Sequence, residues 1–273
     1  MLQTNQSVGM LLREWRQRRR LSQLDLALDA DISPRHLSFV ETGRAQPSRA
    51  MLLHLSEELE IPLRERNTLL LAAGFAPMFQ ERNLDDAALA AARRAIDVVL
   101  EAQKPFPAFA LDRHWNIAAS NRALQALYEG VAPELLAPPV NALRLSLHPR
   151  GVAPRIENLA EWRAHLLSRL RRQIELTADP ALAALMKEAS AFPAGQGNAR
   201  NHRDVEQAVL VPLQIRTSLG LLSFFSSTMV FGTPVDVTLA ELAIELFFPA
   251  DAATTEAVRR AVAGVAIPQA ARE

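Results

Sequence analysis

A chain of 273 residues, 49% of them hydrophobic and with a formal net charge of zero, can build one or two cores and does not as a whole advertise a polyanion partner. It has no cysteine, which excludes disulfides and thiolate metal sites and suits a reducing compartment. No apolar run reaches the roughly 18 residues of a membrane span and no N-terminal apolar region reads as a secretory signal, so the expectation is a cytoplasmic protein without membrane contact.

Charge is nevertheless local. Residues 13–20, REWRQRRR, hold five arginines against one glutamate. The region up to residue 75 reads as five short helices. Val8 to Arg19 carries Leu11, Leu12 and Trp15 at helical spacing. Ser22 caps the second helix, with Asp25 three residues on in the capping-box position, and Leu24, Ala27 and Leu28 are expected inward. Ser33 caps the third, with Pro34 at its favoured first position and Leu37 and Val40 as the apolar pair. Gly43 is a natural stop. Ser48 opens the fourth helix, Pro62 precedes the fifth and Gly74 ends it.

Two short helices joined by a tight turn, the second opening with polar residues, form a helix-turn-helix arrangement whose second helix enters the DNA major groove. Arg35 has a guanidinium that can grip guanine bidentately. His36 and Ser38 can donate or accept. Backbone amides at Ser33 favour a phosphate. Gln23 is placed to touch the DNA backbone or to brace the reading helix, and Arg44 and Ser48 suit phosphate contacts. For Arg18, Arg19 and Arg20 a solvated charged face and phosphate contact remain equal alternatives. LSQLDLA, DIS and LSFVETGRAQPS resemble the Xre/Cro family of repressor-like five-helix domains over residues 8–75. The family's turn usually has Gly where this chain has Asp31, a residue that tolerates the left-handed conformation. The alternative is a helical bundle with no role on DNA.

Phe75 to Arg82 reads as a joint, and Asn83 to about Gln103 as a helix stopped by Pro105 and Pro107. Phe109 to Ser120 reads as two short strands bent at Asp112-Arg113, and Asn121 to Tyr128 as helical. Pro133 to Pro154 reads as loops with helical turns. Ile156 to Glu175 is a strongly amphipathic helix, and Pro193 to Asn201 a flexible loop. Val205 to Arg216 alternates as an edge strand, and Gly220 turns into a second strand, Leu221 to Phe231. Thr238 and Glu241 have capping-box spacing for a last helix ending near Phe248.

PFPAFALDRHWNIAASNRA, NALRLSLHPRGVAPRIENLAEWRAHLLSRLRR and FGTPVDVTLAELAIELFFPAD resemble the ligand-binding domain of MmyB-like transcription regulators, across most of residues 104–251. The resemblance implies a PAS-like fold with a buried pocket for a fatty-acid-like molecule. Composition and spacing by themselves support only an α+β domain. The fold expected is therefore two domains: an all-α five-helix repressor-like domain at 1–76, a connecting helix at 77–104, and an α+β PAS-like ligand-binding domain at 105–273.

An amphiphile with a carboxylate needs an apolar cavity and one or two donors. The helix from Ile156 offers Asn158, Trp162, His165 and Arg169, and Arg144 and His148 add cations. Arg144 is the favoured anchor, since a guanidinium stays charged and holds a carboxylate bidentately. Against this, His148 before Pro149 can simply fasten a loop, Trp162 can be core, Arg169 can lie on a solvated face, and Arg144 can be ion-paired to Asp112 or Glu157. The leading expectation is a ligand-responsive transcription regulator that requires no cofactor and binds a two-fold operator in double-stranded DNA as a homodimer. The alternatives are a ligand-free second domain that only dimerises or recruits a protein, and an enzyme fused to a DNA-binding domain. His148, His165 and His202 fall in no HExxH or HxH spacing, and there is no GxSxG.

Overall fold

The structure, a computed structural model, describes residues 6–194 and 210–264. The loop expected at Pro193 to Asn201 and the start of the strand expected from Val205 lie largely outside them. Among the described residues no helix is long and apolar enough to cross a membrane. The chain divides into two compact units. One runs to Asn83 and takes in Thr233–Ala240. The other comprises Leu84–Gly232 and the chain from Glu241 onward.

Among the described residues up to Asn83 the first unit has five α-helices in chain order: α1 (Val8–Arg18), α2 (Gln23–Asp29), α3 (Pro34–Glu41), α4 (Arg49–Glu58) and α5 (Leu63–Ala72). Their starts follow from side-chain chemistry. Ser22 and Asp25 form a reciprocal capping box, and Ser7, Ser33 and Ser48 each accept a backbone N–H of the first turn. Each such cap stabilises its helix by about 1 kcal/mol. Asp31 takes the left-handed conformation at φ 48° between α2 and α3, so the turn forms without its usual glycine. Leu12, Trp15, Leu26, Leu37, Leu52, Leu55 and Leu69 meet in one core. The inward stripe of α2 is Leu26, Ala27 and Ala30; Leu24 and Leu28 are 55% and 68% exposed, contrary to expectation. Leucines at 24, 26 and 28 fit two faces of one short helix, and only packing chooses between them.

The segment Thr233–Ala240 is tied into this unit by its own bonds. Buried Asp236 accepts from Arg82 Nη1 at 2.9 Å and from the Thr238 backbone N–H at 2.9 Å, and Val237 N–H donates to the Gln80 carbonyl at 2.8 Å. A single helical turn, Val237–Ala240, follows. Asp236 thus caps it, where Thr238 and Glu241 were expected to.

The second unit begins with a 3-10 turn and α6 (Ala90–Ala102), continues through β1 (Ala108–Leu111), β2 (Ile117–Ser120) and the short helices α7 (Arg122–Gln125) and α8 (Ala142–Leu147), then α9 (Leu159–Thr177) and α10 (Pro180–Ala191). It closes with β3 (Leu213–Thr217), β4 (Gly220–Val230), β5 (Ala243–Pro249) and α11 (Ala252–Gly264). The five strands form one antiparallel sheet in the order β2-β1-β5-β4-β3. Gly220, at φ 101°, supplies the left-handed residue of the tight β3–β4 turn. The strand at Ala243–Pro249 replaces the helix expected to end near Phe248. It pairs with β1 on one side and β4 on the other and is covered on both faces. Its near-continuous apolar run is what such a strand shows, and over so few residues it has no period that tells it from a helix.

Alternation along the strands divides this unit's core in two. Ala108, Ala110 and Ile244 face Ile96 and Leu100 of α6. Phe109, Leu111 and Phe247 face the other way, into the larger cluster with Leu145, Trp162, Leu166, Leu213 and Phe224. Asn121 is buried and joins the pieces: its amide donates to the carbonyls of Leu100 and Phe106, and its oxygen accepts from Ala108 N–H.

Candidate nucleic-acid interface and buried cavity

The position of α3 is set by α1. Gly9 lies so close to the end of α3 that a Cβ there would be 2.3 Å from the Val40 carbonyl oxygen and 2.7 Å from that of Glu41. Beside this contact Arg16 and Glu41 form a buried bidentate pair at 2.7 and 2.9 Å. Arg16 also donates to the Leu21 carbonyl at 2.8 Å, and Gln23 donates to Glu41 at 2.7 Å. Burial would raise the Glu41 carboxyl, but the Arg16 and Gln23 hydrogen bonds and the Arg16 charge hold it below the usual carboxylate range. Gln23 therefore braces α3 from α2.

With its inner face fixed by Leu37, Val40 and Glu41, α3 presents Arg35 outward. The Arg35 guanidinium carbon lies 5.3 Å from the centre of the Phe39 ring, and that of Arg44, in the following turn, lies 5.9 Å from it. One aromatic ring thus gathers two exposed cations, each drawn to its negative face. Two guanidiniums gathered in this way could bind a phosphate or another anion. The Ser33 oxygen accepts from His36 N–H at 3.1 Å and the Ser48 oxygen from Met51 N–H at 3.2 Å, which leaves each hydroxyl hydrogen for an outside acceptor. His36 and Ser38 are half-buried on the same helix. Phe39 was missed in the sequence reading, although it stands four residues after Arg35, the spacing that stacks side chains on a helix.

The basic run is partly structural. Arg19 donates to the carbonyls of Leu59 and Glu60, at the C-terminal end of α4, at 2.8 and 2.9 Å. Arg18 and Arg19 both lie against Trp15.

In the second unit a cavity of about 80 Å³ lies against the sheet face that carries Phe109, Leu111 and Phe247, and α9 contributes Trp162, Leu166 and Arg169 to it. Most of the lining is apolar. Tyr128 borders it, and burial pushes its hydroxyl pKa up to about 12. The polar end combines α9 with β4 and β5. Arg169 Nη2 donates to Glu245 Oε1, Thr228 donates to the same oxygen at 2.8 Å, and the Arg169 guanidinium carbon lies 5.4 Å from the centre of the Trp115 ring.

Of the residues expected to bind ligand, Trp162 and Arg169 line this cavity and the others do not. Arg144, the favoured anchor, is half-exposed and bidentate with Glu188 of α10 at 2.7 and 2.8 Å, so its charge is already matched. Asn158 clamps the chain before β3: its amide donates to the Pro212 carbonyl and its oxygen accepts from Gln214 N–H. His148 accepts from Arg150 N–H, and its ring makes a T-shaped contact with that of Phe192. His165 stacks on Trp162, and burial followed by the Arg169 charge pushes its pKa down. Glu245 was missed; its signal is an acid at a core-facing position within AIELFFP. Among the described residues no group of His, Cys, Asp or Glu could hold a metal ion.

The family model described as the MmyB-like transcription regulator ligand binding domain matches residues 92–261, and a helix-turn-helix model matches residues 12–66. No curated protein matches the chain.

Proposed function

This chain belongs to the family defined by the MmyB-like transcription regulator ligand binding domain and is a DNA-binding transcription regulator by virtue of its helix-turn-helix; on that premise we propose that it reads a two-fold operator as a homodimer and responds to a small apolar, fatty-acid-like ligand. Both matched families are of regulatory domains, not of enzymes. Its proposed place of action is the cytoplasm, and no cofactor is required for the reading.

The observation that carries the DNA half is the pair of exposed guanidiniums on Phe39, on a helix locked from behind by Gly9 and Arg16–Glu41. Arg35 is assigned to base edges and Arg44 to phosphate, with Gln23 in a bracing role and Ser33, His36, Ser38 and Ser48 around them. The pairing rests on affinity: one such module buries only about 600–1,000 Å² on DNA, and two modules on half-sites roughly 34 Å apart reach useful affinity. The outer face of α6 supports a pair. Its inner stripe is covered, while Ala91, Ala95, Val98 and Ala102 repeat along the exposed side.

The ligand half rests on the cavity. A fully buried chain of some ten carbons gains about 0.8 kcal/mol per methylene, roughly 8 kcal/mol before ordering costs. The cavity, at about 80 Å³, is smaller than the roughly 150 Å³ apolar cavity that admits benzene. To bury a chain of that length fully, the lining side chains have to move apart, so on this reading the liganded core packs differently from the empty one. An effector needs this difference, because it regulates only by binding two states unequally. Organic extraction of purified protein, followed by mass spectrometry, tests the reading. A stoichiometric single-chain amphiphile that changes operator affinity on being added back is expected. Equal operator affinity with and without saturating ligand would make the second unit a dimerisation or recruitment module.

A further inference from the structure

Glu245 occupies a position where a core strand ordinarily places an apolar side chain. It is 3% exposed, shares a strand face with Phe247 by the two-residue period, and lines the cavity with it. Its Oε1 is held by Thr228 and Arg169. Among the described residues no donor reaches its Oε2. Among the described residues Arg169 reaches its hydrogen-bond partners, Glu245 and Thr228, through Nη2, which leaves Nε–H and the Nη1 N–H groups as donors. Arg169 is also the one cation lining the cavity among the described residues, and it is neutralised before any ligand arrives.

A ligand carboxylate placed here would set two acids against one guanidinium in a largely apolar cavity, where like charges disfavour one another strongly. A ligand ammonium would add a second cation beside Arg169. A neutral head group with an O–H or N–H carries neither cost. It donates to Glu245 Oε2 and accepts from a guanidinium N–H that Glu245 does not use, so that no buried polar group is left unmatched. Resting on the reading of this cavity as the site of a single-chain, fatty-acid-like ligand, we infer that among such chains it selects those with a neutral, hydrogen-bond-donating head group, an alcohol or a primary amide, over the free carboxylate, and that Glu245 sets this preference.

The test is a titration of the full chain with decan-1-ol, decanamide, decanoate and decylammonium at pH 8, followed by calorimetry and tryptophan fluorescence. The alcohol and the amide bind at least about tenfold more tightly than decanoate, a difference of about 1.4 kcal/mol. Glu245→Gln frees Arg169, so decanoate gains about tenfold or more and the alcohol loses affinity. Should that variant fail to fold, as judged by circular dichroism, the ranking of the four head groups on the unaltered protein decides. Decanoate binding as tightly as the alcohol overturns the head-group inference and leaves the cavity as a ligand site. Binding by none of the four overturns both.

Discussion

Arg35 and Arg44 rest on one ring, yet the proposed reading gives them different work. Arg35 lies in the first turn of α3, the part that a helix-turn-helix presents to base edges in general, and Arg44 lies beyond its end. Arg35→Ala is expected to weaken operator binding by about 1–3 kcal/mol and to relax discrimination at one base position. Arg44→Ala should weaken all sequences about equally and lower the salt slope by about one. Gel shifts against an operator library at several salt concentrations check both, and an unchanged base preference in Arg35→Ala would remove it from base reading. Behind the helix, Glu41→Ala strands Arg16 in the core. A broken buried pair costs about 3–5 kcal/mol, and urea unfolding of the variant measures it. His165 gives a pH signature. Its folded pKa is depressed by burial first and by Arg169 next, so as pH falls below the ordinary histidine value of about 6.5 the unfolded chain takes up the proton first. Stability declines from there and levels off once the folded ring titrates. His165→Gln should flatten that part of the stability curve, and identical curves for the two proteins would sink the assignment.

Among elements, the contact of α1 with α3 sets how α3 is held. Gly9 permits it because a side chain there would meet backbone oxygens, and backbone yields less readily than a side-chain end. Gly9→Ala adds one methyl group, and overpacking of this kind costs about 1–3 kcal/mol. Because the displaced atoms belong to Val40 and Glu41 of α3, operator affinity should fall further than in a surface variant of equal stability. Thermal unfolding paired with gel shifts separates the two effects; a destabilised variant with full operator affinity would show that α3 does not depend on this contact. The strand β5 carries a second lesson. The run Ala243–Pro249 places Ile244 against α6 and Glu245 and Phe247 toward the cavity, so a single strand seals one core and furnishes the polar end of the other.

For the whole molecule, the expected assembly is a pair. Light scattering of the free protein and of its operator complex should give a dimer in at least the complex. Val98 is 67% exposed on the outer face of α6, and Val98→Glu should weaken the pair without unfolding the unit, since the inner residues Ile96 and Leu100 are untouched. A monomer both free and on DNA would defeat the two-fold reading. Pairing also squares the modest contact area of one helix-turn-helix with specific binding, since affinity on two half-sites far exceeds affinity on one.

The sequence by itself determined what rests on neighbours a few residues apart. The caps at Ser22, Ser33 and Ser48, the left-handed turn at Asp31, the β1–β2 bend and the β3–β4 hairpin at Gly220 are local events, set by side-chain chemistry and backbone sterics within one turn. Both family resemblances rested on stretches of this kind. Tertiary structure alone decided where charges end. Arg144 has the chemistry of a free anchor until Glu188, 44 residues on, takes both its hydrogen bonds. Arg169 has the pattern of a solvated arginine until Glu245, 76 residues on, arrives through a strand that the local pattern had assigned to a helix. Ion pairs and strand partners form across the chain wherever packing brings them together, and no local period records that meeting. Periodicity therefore named the right helix, α9, for the cavity but could not tell its matched cations from its unmatched ones.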